Sequence, residues 1–447
     1  MILPKNRAVW GWALYDWANS AFATTVMAGF FPIFFKQYWS YGTDVNASTA
    51  QLGLGNSVSG LIIALTAPFL GALADRGSAK KKLLILFAYL GVLMSAALFF
   101  IEKGQWAAAI FVYAMGLIGF SGANIFYDAL LPSVAGEEEI DYVSGFGFSM
   151  GYLGGGLLFL VNVLMTLNPS WFGLPDASAA VRWSFVTVAL WWGTFTLFTI
   201  FWVPEQIDPA GTVSMKRAVT EGLSQLARTF AKIRHLKTVM LFLAAYWLYI
   251  DGVDTVIRMA VDYGLSIGFK ANDLIVALLL VQFVGFPAAL FFGKLGQNWD
   301  IKKSIYLAIA IYMGVTLWAT TMSSSTEFYL LAVLIGCVQG GIQALSRSYY
   351  TRLIPPNQAG EYFGFYNMLG KFAAIIGPGL MGIVGIAARR SLMPPSPTPL
   401  QMEQVGMLAS RISIASISLL FIAGAIVFYF VDEEKGKKEA AILGDSV

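Results

Sequence analysis

The chain has 447 residues, of which 57% are hydrophobic and 12% are charged, with a net charge of only +3. A soluble domain carries about 25% charged residues, so this composition excludes a soluble enzyme, a nucleic-acid-binding protein and a disordered chain. One cysteine, Cys337, excludes an intramolecular disulfide, and one histidine, His235, excludes the usual zinc sites. Neither a phosphate-binding P-loop nor a Gly-x-Ser-x-Gly elbow occurs. We therefore predict a polytopic membrane protein that is not an enzyme and has no cofactor and no metal.

Twelve apolar stretches are long enough to cross a bilayer, whose core requires about 20 residues of helix. They cover residues 10–36, 51–74, 83–101, 106–131, 142–167, 182–203, 237–262, 272–296, 304–322, 327–353, 361–387 and 407–431. With the N-terminus in the cytoplasm, 20 Lys and Arg residues lie on the cytoplasmic side and seven on the outer side, as the positive-inside rule requires. We predict an all-α membrane protein with twelve transmembrane helices and cytoplasmic termini.

The longest polar segment divides these spans into six plus six. It predicts an N-terminal six-helix bundle at 1–203, a cytoplasmic linker at 204–236, and a C-terminal six-helix bundle with a short tail at 237–447. Within the linker, apolar residues recur at helical spacing among Lys and Arg, which favours an amphipathic helix at the inner membrane surface. A plain tether is the alternative.

The two halves also repeat in sequence. Three blocks match in order: Gly71, Leu73, Lys80 and Lys81 align with Gly293, Leu295, Lys302 and Lys303, Leu130 and Pro132 with Leu353 and Pro355, and Gly145, Phe146 and Gly151 with Gly364, Phe365 and Gly370. The offset is nearly constant, between 219 and 223 residues. Two parallel six-helix repeats indicate the architecture of the major facilitator superfamily.

The loop after the second span reads GALADRGSAK from Gly71 to Lys80. It resembles the cytoplasmic loop motif of major facilitators, G-x-L-x-D-R-x-G-R-K, as far as Arg76. The resemblance implies that Asp75 docks at the N-terminus of the eleventh helix, where an anion is favourable. It also implies that the basic residues pair with an acid ending the fourth helix, and Asp128 is so placed. Together these contacts would latch the halves in an outward-facing state; the alternative is a simple basic membrane anchor.

The fifth span carries a run of small residues from Gly147 to Gly156. Glycines four positions apart let helix backbones approach closely. The string resembles the exporter-associated motif of major facilitators, G-x-x-x-G-P-x-x-G-G, with Tyr152 in place of the proline. The resemblance implies export, while close helix packing is expected with or without it.

The first span contains the string WALYDWANSAF, in which Asp16, Asn19 and Ser20 share one narrow stripe. A carboxylate inside a span costs about 2.5–3.5 kcal/mol on insertion scales. We therefore expect Asp16 to face protein or a water-filled cavity, with Asn19 beside it.

The seventh span places Asp251, Asp254 and Arg258 on one helical face. Asp254 and Arg258 are four residues apart and can pair. The functional interpretation is a carboxylate that binds a proton or a cation. The alternative is a self-neutralising structural cluster.

The tenth and eleventh spans add polar side chains near mid-membrane. Gln339 and Gln343 are one turn apart, and Asn367 lies one turn before Lys371. These amides either line a polar cavity or hold helices together. Lys371 is either an anchor for an anionic group or one partner of a structural ion pair, because an unpaired buried ammonium is costly.

The string YDWANSAF of the first span and YIDGVDT of the seventh resemble the autophagy-related vacuolar amino-acid effluxers and their bacterial relatives, and the resemblance covers nearly the whole chain. It implies a secondary transporter that moves a small polar solute by alternating access, with an amino acid and export favoured. From the acids within the spans we expect proton coupling through Asp16, Asp251 or Asp254. Lys371 would suit a substrate carboxylate and Asp16 or Asp251 an ammonium.

The expected partners are this solute, protons and membrane lipids, with no nucleic acid, and the expected form is a monomer in a bacterial cytoplasmic membrane. Two alternatives stay open at this point: efflux of amphipathic drugs or lipids, and a non-transporting scaffold or receptor.

Overall fold

The computed structural model describes residues 4–42, 45–76, 79–204, 236–266 and 271–444, and all regular structure in these ranges is helical. The helices are α1 (Arg7–Trp39), α2 (Val45–Arg76), α3 (Lys80–Ala97), α4 (Trp106–Val134), α5 (Ile140–Leu167), α6 (Ala177–Trp202), α7 (Lys237–Ser266), α8 (Ala271–Asn298), α9 (Ile301–Ala319), α10 (Ser325–Arg352), α11 (Ala359–Leu392), α12 (Pro399–Tyr429) and α13 (Glu433–Gly444). The amphipathic helix predicted within the linker lies outside the described residues.

Helices α1 to α12 correspond one to one with the twelve predicted spans. Eleven of them, α1 to α10 and α12, are long and apolar enough to cross a membrane. Helix α11 has 34 residues and is about 51 Å long, which exceeds the bilayer core. The prediction of a twelve-helix membrane protein is confirmed.

Helix α1 is not uniform. It contains two π-helical segments, Phe22–Phe30 and Phe35–Trp39, separated by a single α-helical turn that includes Pro32. Wider π turns displace side chains from the α-helical register and are frequent at functional sites. The first of these segments begins six residues after Asp16.

Helix α12 begins eight residues before the predicted twelfth span. Thr398 accepts a hydrogen bond from the backbone N–H of Gln401, whose side chain in turn binds the Thr398 N–H, so the helix starts with a capping box. The helix is interrupted between Ala415 and Ser418. The capping box therefore stabilises a helix start in a polar stretch that hydropathy does not mark as a span.

The residues after α12 form a helix, where the sequence analysis expects only a short tail. Asp432 accepts a hydrogen bond from the Lys435 N–H at 3.1 Å, and Glu433 pairs with Lys437 one turn later at 3.0 Å. A Cβ atom added at Gly436 would lie 2.9 Å from Thr238 of α7. Helix α13 is thus packed against the start of α7, at the end of the molecule that the Lys and Arg distribution assigns to the cytoplasm. We call this end the cytoplasmic end.

Each half has its own aromatic core. The first cluster of buried apolar side chains comes mainly from α1 to α6 and includes Trp12, Phe31 and Trp192. The second comes mainly from α7 to α12 and includes Tyr312 and Phe421. Leu290 of α8 joins the first cluster and Ala129 of α4 joins the second, so the two cores touch where the halves meet.

The halves meet along two helix pairs, α2 with α11 and α5 with α8. A Cβ atom at Gly364 would lie 2.6 Å from the carbonyl oxygen of Ala67, and one at Gly145 would lie 2.7 Å from that of Ala289. The same offsets that align Gly145 with Gly364 and the α2 and α8 blocks also align these partners. The sequence repeat is therefore a structural repeat, and its glycines allow the close contact between the halves.

Candidate functional site

A cavity of about 350 Å³ lies between the two halves. Its described lining comes from α1, α4 and α5 in the first half and from α7, α8, α10 and α11 in the second. The polar side chains in this lining are Asp16, Asn19, Ser20, Thr24, Asn124, Tyr127, Asp128, Tyr152, Tyr246, Asp254, Gln282, Gln339, Gln343, Arg347, Tyr366 and Asn367. A site formed by both halves changes shape when the halves rotate.

Asp16 lies in the wall of this cavity with 9% of its surface exposed. Its Oδ1 accepts a hydrogen bond from Ser20 at 3.2 Å, and its Oδ2 accepts one from the Tyr127 hydroxyl of α4 at 3.2 Å. Helix α5 packs directly against it, because a Cβ atom at Gly151 would lie 2.8 Å from Asp16 Oδ1. The glycine run of α5 therefore leaves the room that the carboxylate occupies.

Two amide contacts extend the polar wall along α1. Asn19 Nδ2 donates to Asn124 Oδ1 of α4 at 2.6 Å. Farther along, Gln282 of α8 donates to Thr24 Oγ1 at 3.2 Å, which links the second half to the first π-helical segment. The Asn19 contact lies within the first half, whereas the Gln282 contact joins the two halves.

At the cytoplasmic end of the cavity, Arg347 of α10 enters the opposite half. Its guanidinium donates to Asp128 Oδ1 of α4 at 3.0 Å and to both Oγ and the carbonyl oxygen of Ser144 in α5, each at 3.0 Å. The guanidinium carbon lies 4.4 Å from the ring centre of Phe148 and 4.9 Å from that of Trp12, which are distances of cation–π contact. Only 2% of Arg347 is exposed.

Asn367 of α11 completes this cluster by donating to Asp128 Oδ2 at 3.0 Å. Asp128, Ser144, Arg347 and Asn367 each lie within about two turns, roughly 12 Å, of the cytoplasmic end of their helix. We call these four residues the floor of the cavity. Because its ion pair and hydrogen bonds join the two halves, the floor must break before the cavity can open to the cytoplasm.

Tyr152, which replaces the motif proline of the fifth span, crosses the interface in the other direction. A Cβ atom at Gly285 of α8 or at Gly340 of α10 would overlap its ring, at 2.7 and 2.6 Å. Tyr152 is 7% exposed. Its ring thus occupies a recess that two glycines of the second half leave open.

Asp251 and Asp254, which share a face on the helical wheel, have different surroundings. Asp254 lines the cavity. Asp251 has no exposed surface and lies outside the described lining, where its Oδ1 accepts hydrogen bonds from the Gly377 N–H of α11 at 3.0 Å and from Thr255 at 3.3 Å. The contact with α11 separates Asp251 from the cavity, which a wheel drawn for one helix cannot show.

The remaining predicted site residues divide into two groups. Gln339 and Gln343 line the cavity from α10, as Asn367 does from α11. The side chains of Arg258, Lys371 and Arg76 lie outside the described residues. The neighbour of Lys371 in α11, Gly370, borders the cavity.

At the cytoplasmic end, the carboxylate of Asp75 joins α2 to the first turn of α11. It accepts hydrogen bonds from the backbone N–H of Gly360 at 3.0 Å and of Glu361 at 2.7 Å, and it pairs with Lys80 at 2.8 Å. A Cβ atom at Gly71 would overlap the Gly360 carbonyl oxygen. We call this contact the first crossing.

Asp128 differs from its expected role in the loop latch. The family pattern implies pairing with the basic loop residues, but Asp128 pairs with Arg347, and Lys80 pairs with Asp75. The reason is that Arg347 of the second half reaches into the cavity floor and pairs with Asp128 there. Among the side chains that the structure describes, Asp128 therefore contacts the cavity floor.

The second crossing joins α8 and α10 to α5. Gln297 Nε2 donates to the carbonyl oxygen of Glu138 at 2.9 Å. Arg352 forms an ion pair with Asp141 at 2.5 Å and a second one with Glu433 of α13 at 3.1 Å. Asp141 has no exposed surface, so the second crossing depends on a buried ion pair that α13 supports.

Two residues of the cavity lining, Arg347 and Asn124, are not among the residues predicted for the site. Arg347 follows Gln339 and Gln343 at the same four-residue spacing, so its place on the polar face of α10 could have been inferred. Asn124 lies one turn before Asp128 in α4 and gives a similar signal. Neither spacing, however, shows which helix of the other half receives the side chain.

Comparison with known proteins identifies relatives along the whole chain. A profile of the family described as "Vacuole effluxer Atg22 like" matches residues 40–141 and 137–390. The uncharacterized MFS-type transporter YxiO of Bacillus subtilis (strain 168) is 38% identical over 425 residues, which are 95% of this chain and 94% of the relative. Autophagy-related protein 22 of Coccidioides immitis (strain RS) is 20% identical over 564 residues, covering 99% of this chain and 89% of the relative.

Solved structures match the fold. The human organic anion transporter MFSD10 (TETRAN) superimposes with a TM-score of 0.67 at 16% identity, covering 96% of this chain and 100% of that one. The proton:xylose symporter XylE gives a TM-score of 0.67 at 14% identity, with 98% and 97% covered. Both belong to the major facilitator superfamily, and the predicted six-plus-six fold is confirmed.

Proposed function

The chain belongs to the Atg22-like vacuole effluxer family of major facilitator transporters, and we propose that it exports a small α-amino acid by alternating access through the cavity described above. The observation that carries this proposal is Asp16. It is a carboxylate in the cavity wall that accepts hydrogen bonds from two hydroxyl groups, those of Ser20 and Tyr127. Such a group can receive the ammonium of a substrate.

The amide-rich lining supports a small polar substrate over a purely apolar one. Gln339, Gln343 and Asn19 can orient an ammonium or a carboxylate by hydrogen bonds. The predicted anchor for the carboxylate, Lys371, follows Gly370 of the lining and stays a prediction. Amphipathic drugs or lipids remain the alternative substrate class, for which the aromatic side chains Phe120 and Phe148 in the lining are the supporting observation.

Export and membrane location are inferred from the relatives. The family description names an effluxer, and the glycine run of α5 resembles the exporter motif. The relative from Bacillus subtilis supports a place in the cytoplasmic membrane of a bacterium. A monomer suffices for the proposed mechanism, because the cavity is formed within one chain.

The substrate proposal is tested with purified protein in proteoliposomes. Counterflow of each common L-amino acid, labelled in turn, should identify at least one substrate, and Asp16→Asn should abolish its transport. Asp176→Asn is the matched control, because Asp176 caps α6 at the surface and asparagine caps equally well. Transport of lipids or amphipathic drugs without any amino acid would favour the alternative.

Proton coupling is tested by separating net transport from exchange. We propose Asp254 as the coupling carboxylate, because it lines the cavity whereas Asp251 does not. Asp254→Asn should then abolish transport driven by a pH gradient and preserve amino-acid exchange, which requires only binding and rocking. Full gradient-driven transport in the Asn variants of Asp16, Asp251 and Asp254 would contradict coupling at these residues.

A further inference from the structure

We propose that Arg347 binds the carboxylate of the transported amino acid, and that this carboxylate displaces Asp128 from the guanidinium and so opens the floor of the cavity. The inference rests on the proposed function and deepens it. It assigns to Arg347 the anchoring role that the sequence analysis gives to Lys371, and it makes substrate binding itself the signal for opening.

Arg347 is suitable for this role because it is a floor residue that also borders the cavity. Its three described hydrogen bonds go to Asp128 and Ser144. A guanidinium has more N–H donors than these three bonds use, so a ligand carboxylate can bind before the contact with Asp128 breaks. The planar group is also suited to hold a carboxylate through two parallel hydrogen bonds.

The site for an ammonium adjoins the site for a carboxylate. Tyr127 donates its hydroxyl to Asp16 at 3.2 Å, and its ring centre lies 5.2 Å from the guanidinium carbon of Arg347. One side chain, Tyr127, therefore lies between the Asp16 carboxylate and the Arg347 guanidinium. This short separation suits a ligand whose two charged groups are carried by the same carbon atom, as in an α-amino acid.

Displacement of Asp128 links binding to opening. Without a ligand, opening the floor would take Arg347 away from Asp128 and from the rings of Trp12 and Phe148, which lie in the same half as Asp128. Breaking a buried ion pair in this way, with nothing to replace the carboxylate, is strongly unfavourable. With a ligand, the substrate carboxylate replaces Asp128 on the guanidinium. Asp128 stays with the first half and becomes hydrated as water enters from the cytoplasm. The ligand thus favours the open state by binding it more tightly.

The binding test compares amino acids with their methyl esters, which keep the ammonium and lack the carboxylate charge. The probes are a mixture of the common L-amino acids and the same mixture as methyl esters, and the readout is a thermal-shift titration of the full-length protein. In the double variant Arg347→Gln, Asp128→Asn, which removes both charges so that neither is left unpaired, amino-acid affinity should fall roughly ten- to hundredfold to that of the esters. Ester affinity should not change.

Lys371→Gln is the matched control, because it removes the other candidate anchor. If the preference for amino acids over esters survives in the double variant, or is lost in Lys371→Gln alone, the inference is overturned while amino-acid transport stands. If neither probe stabilises the wild type, the proposed function fails first and the inference fails with it.

The opening test measures access from the cytoplasm. Ser348→Cys in a Cys337→Ser background places a thiol at a fully buried position next to Arg347, and a membrane-impermeant maleimide is added to inside-out vesicles. The amino-acid mixture should speed labelling several-fold and the esters should not. With Asp128→Asn added, labelling should be fast without any ligand. Ligand-dependent labelling that persists unchanged in Asp128→Asn would contradict displacement of Asp128.

Discussion

At the first crossing a carboxylate of α2 caps the start of α11, whereas at the second an amide of α8 binds the backbone at the start of α5. Asp75 and Gln297 occupy equivalent positions in the repeat, 222 residues apart. Asp75 accepts from two N–H groups of a helix N-terminus, where an anion is stabilised by the helix dipole. Gln297 instead donates to the carbonyl oxygen of Glu138 and supplies no charge.

The packing beneath these polar contacts is nearly the same. A Cβ atom at Gly293 would lie 3.0 Å from the carbonyl oxygen of Asp141, and one at Gly71 would overlap the carbonyl of Gly360. The offset that aligns Gly145 with Gly364 also aligns Asp141 with Gly360. Duplication has thus preserved the close contact between backbones, while the polar groups that close each crossing have diverged.

The charge absent from α8 appears elsewhere in the second crossing. Asp141 in the first turn of α5 pairs with Arg352 of α10, which Glu433 of α13 also binds. The first crossing uses a carboxylate at the end of α2 and backbone groups. The second uses a buried ion pair supported by a helix that has no counterpart among the described residues of the first half. The two crossings should therefore respond differently to substitution.

The largest effect is expected for Arg352→Ala. Removing one partner of a buried ion pair costs about 3–5 kcal/mol, and we expect about 3 kcal/mol because Arg352 itself is 20% exposed. The closed cytoplasmic end should be destabilised, which maleimide labelling at Ser348→Cys would report. Lys80→Ala, the control at the first crossing, should have a smaller effect because Asp75 keeps its two backbone donors. Equal effects would mean that the two crossings are held in the same way.

The next largest effect is expected for substitutions of the glycines that bring the backbones together at each crossing. Gly71→Ala adds a methyl group on top of a carbonyl oxygen, and such overpacking costs about 1–3 kcal/mol. A Cβ atom at Gly293 would have more room, because its nearest neighbour, the Asp141 carbonyl oxygen, lies at 3.0 Å. Gly293→Ala should therefore cost less. Transport rate and cytoplasmic labelling measured for both variants would rank them, and a larger effect at Gly293 would invalidate the ranking.

Asp75→Asn removes the anion from the N-terminus of α11. An anion in a partly buried position there is worth about 1–2 kcal/mol, so a balanced equilibrium should shift several-fold away from the outward-facing state. Labelling of cysteines on the outer side should fall, and labelling at Ser348→Cys should rise. No change on either side would remove the first crossing as a latch.

The smallest effect is expected for Gln297→Ala. Its hydrogen bond is neutral and exposed, and such a bond contributes about 0.5 kcal/mol. Asp75→Gln sharpens the comparison, because it gives the first crossing the amide of the second. If Gln297→Ala impairs closure as much as Asp75→Asn does, the carboxylate has no special role.

The twelve spans and the duplication could be read from the sequence because a bilayer imposes length and hydrophobicity on each helix independently. The exact alignment of the two halves around these loops could not be read from the sequence. Lys81 donates to the carbonyl oxygens of Ile200 and Val203 at the end of α6. Lys302 donates to those of Tyr429 and Val431 at the end of α12. Sequence alignment pairs Lys81 with Lys303 instead, because the loop before α9 is one residue shorter than the loop before α3.

Asp16 and Asn19 were identifiable because a carboxylate and an amide on one stripe of an apolar helix must find polar surroundings. What each acid faces was decided only by the tertiary structure. Asp251 and Asp254 lie on the same helical face, yet the approach of α11 at Gly377 buries the first and leaves the second in the cavity. Asp128 lies near the end of α4, where a basic residue of the adjacent loop was the expected partner, but its partner, Arg347, is 219 residues away. Local periodicity determines which face of a helix is polar, whereas the identity of the partner depends on how the two halves pack against each other.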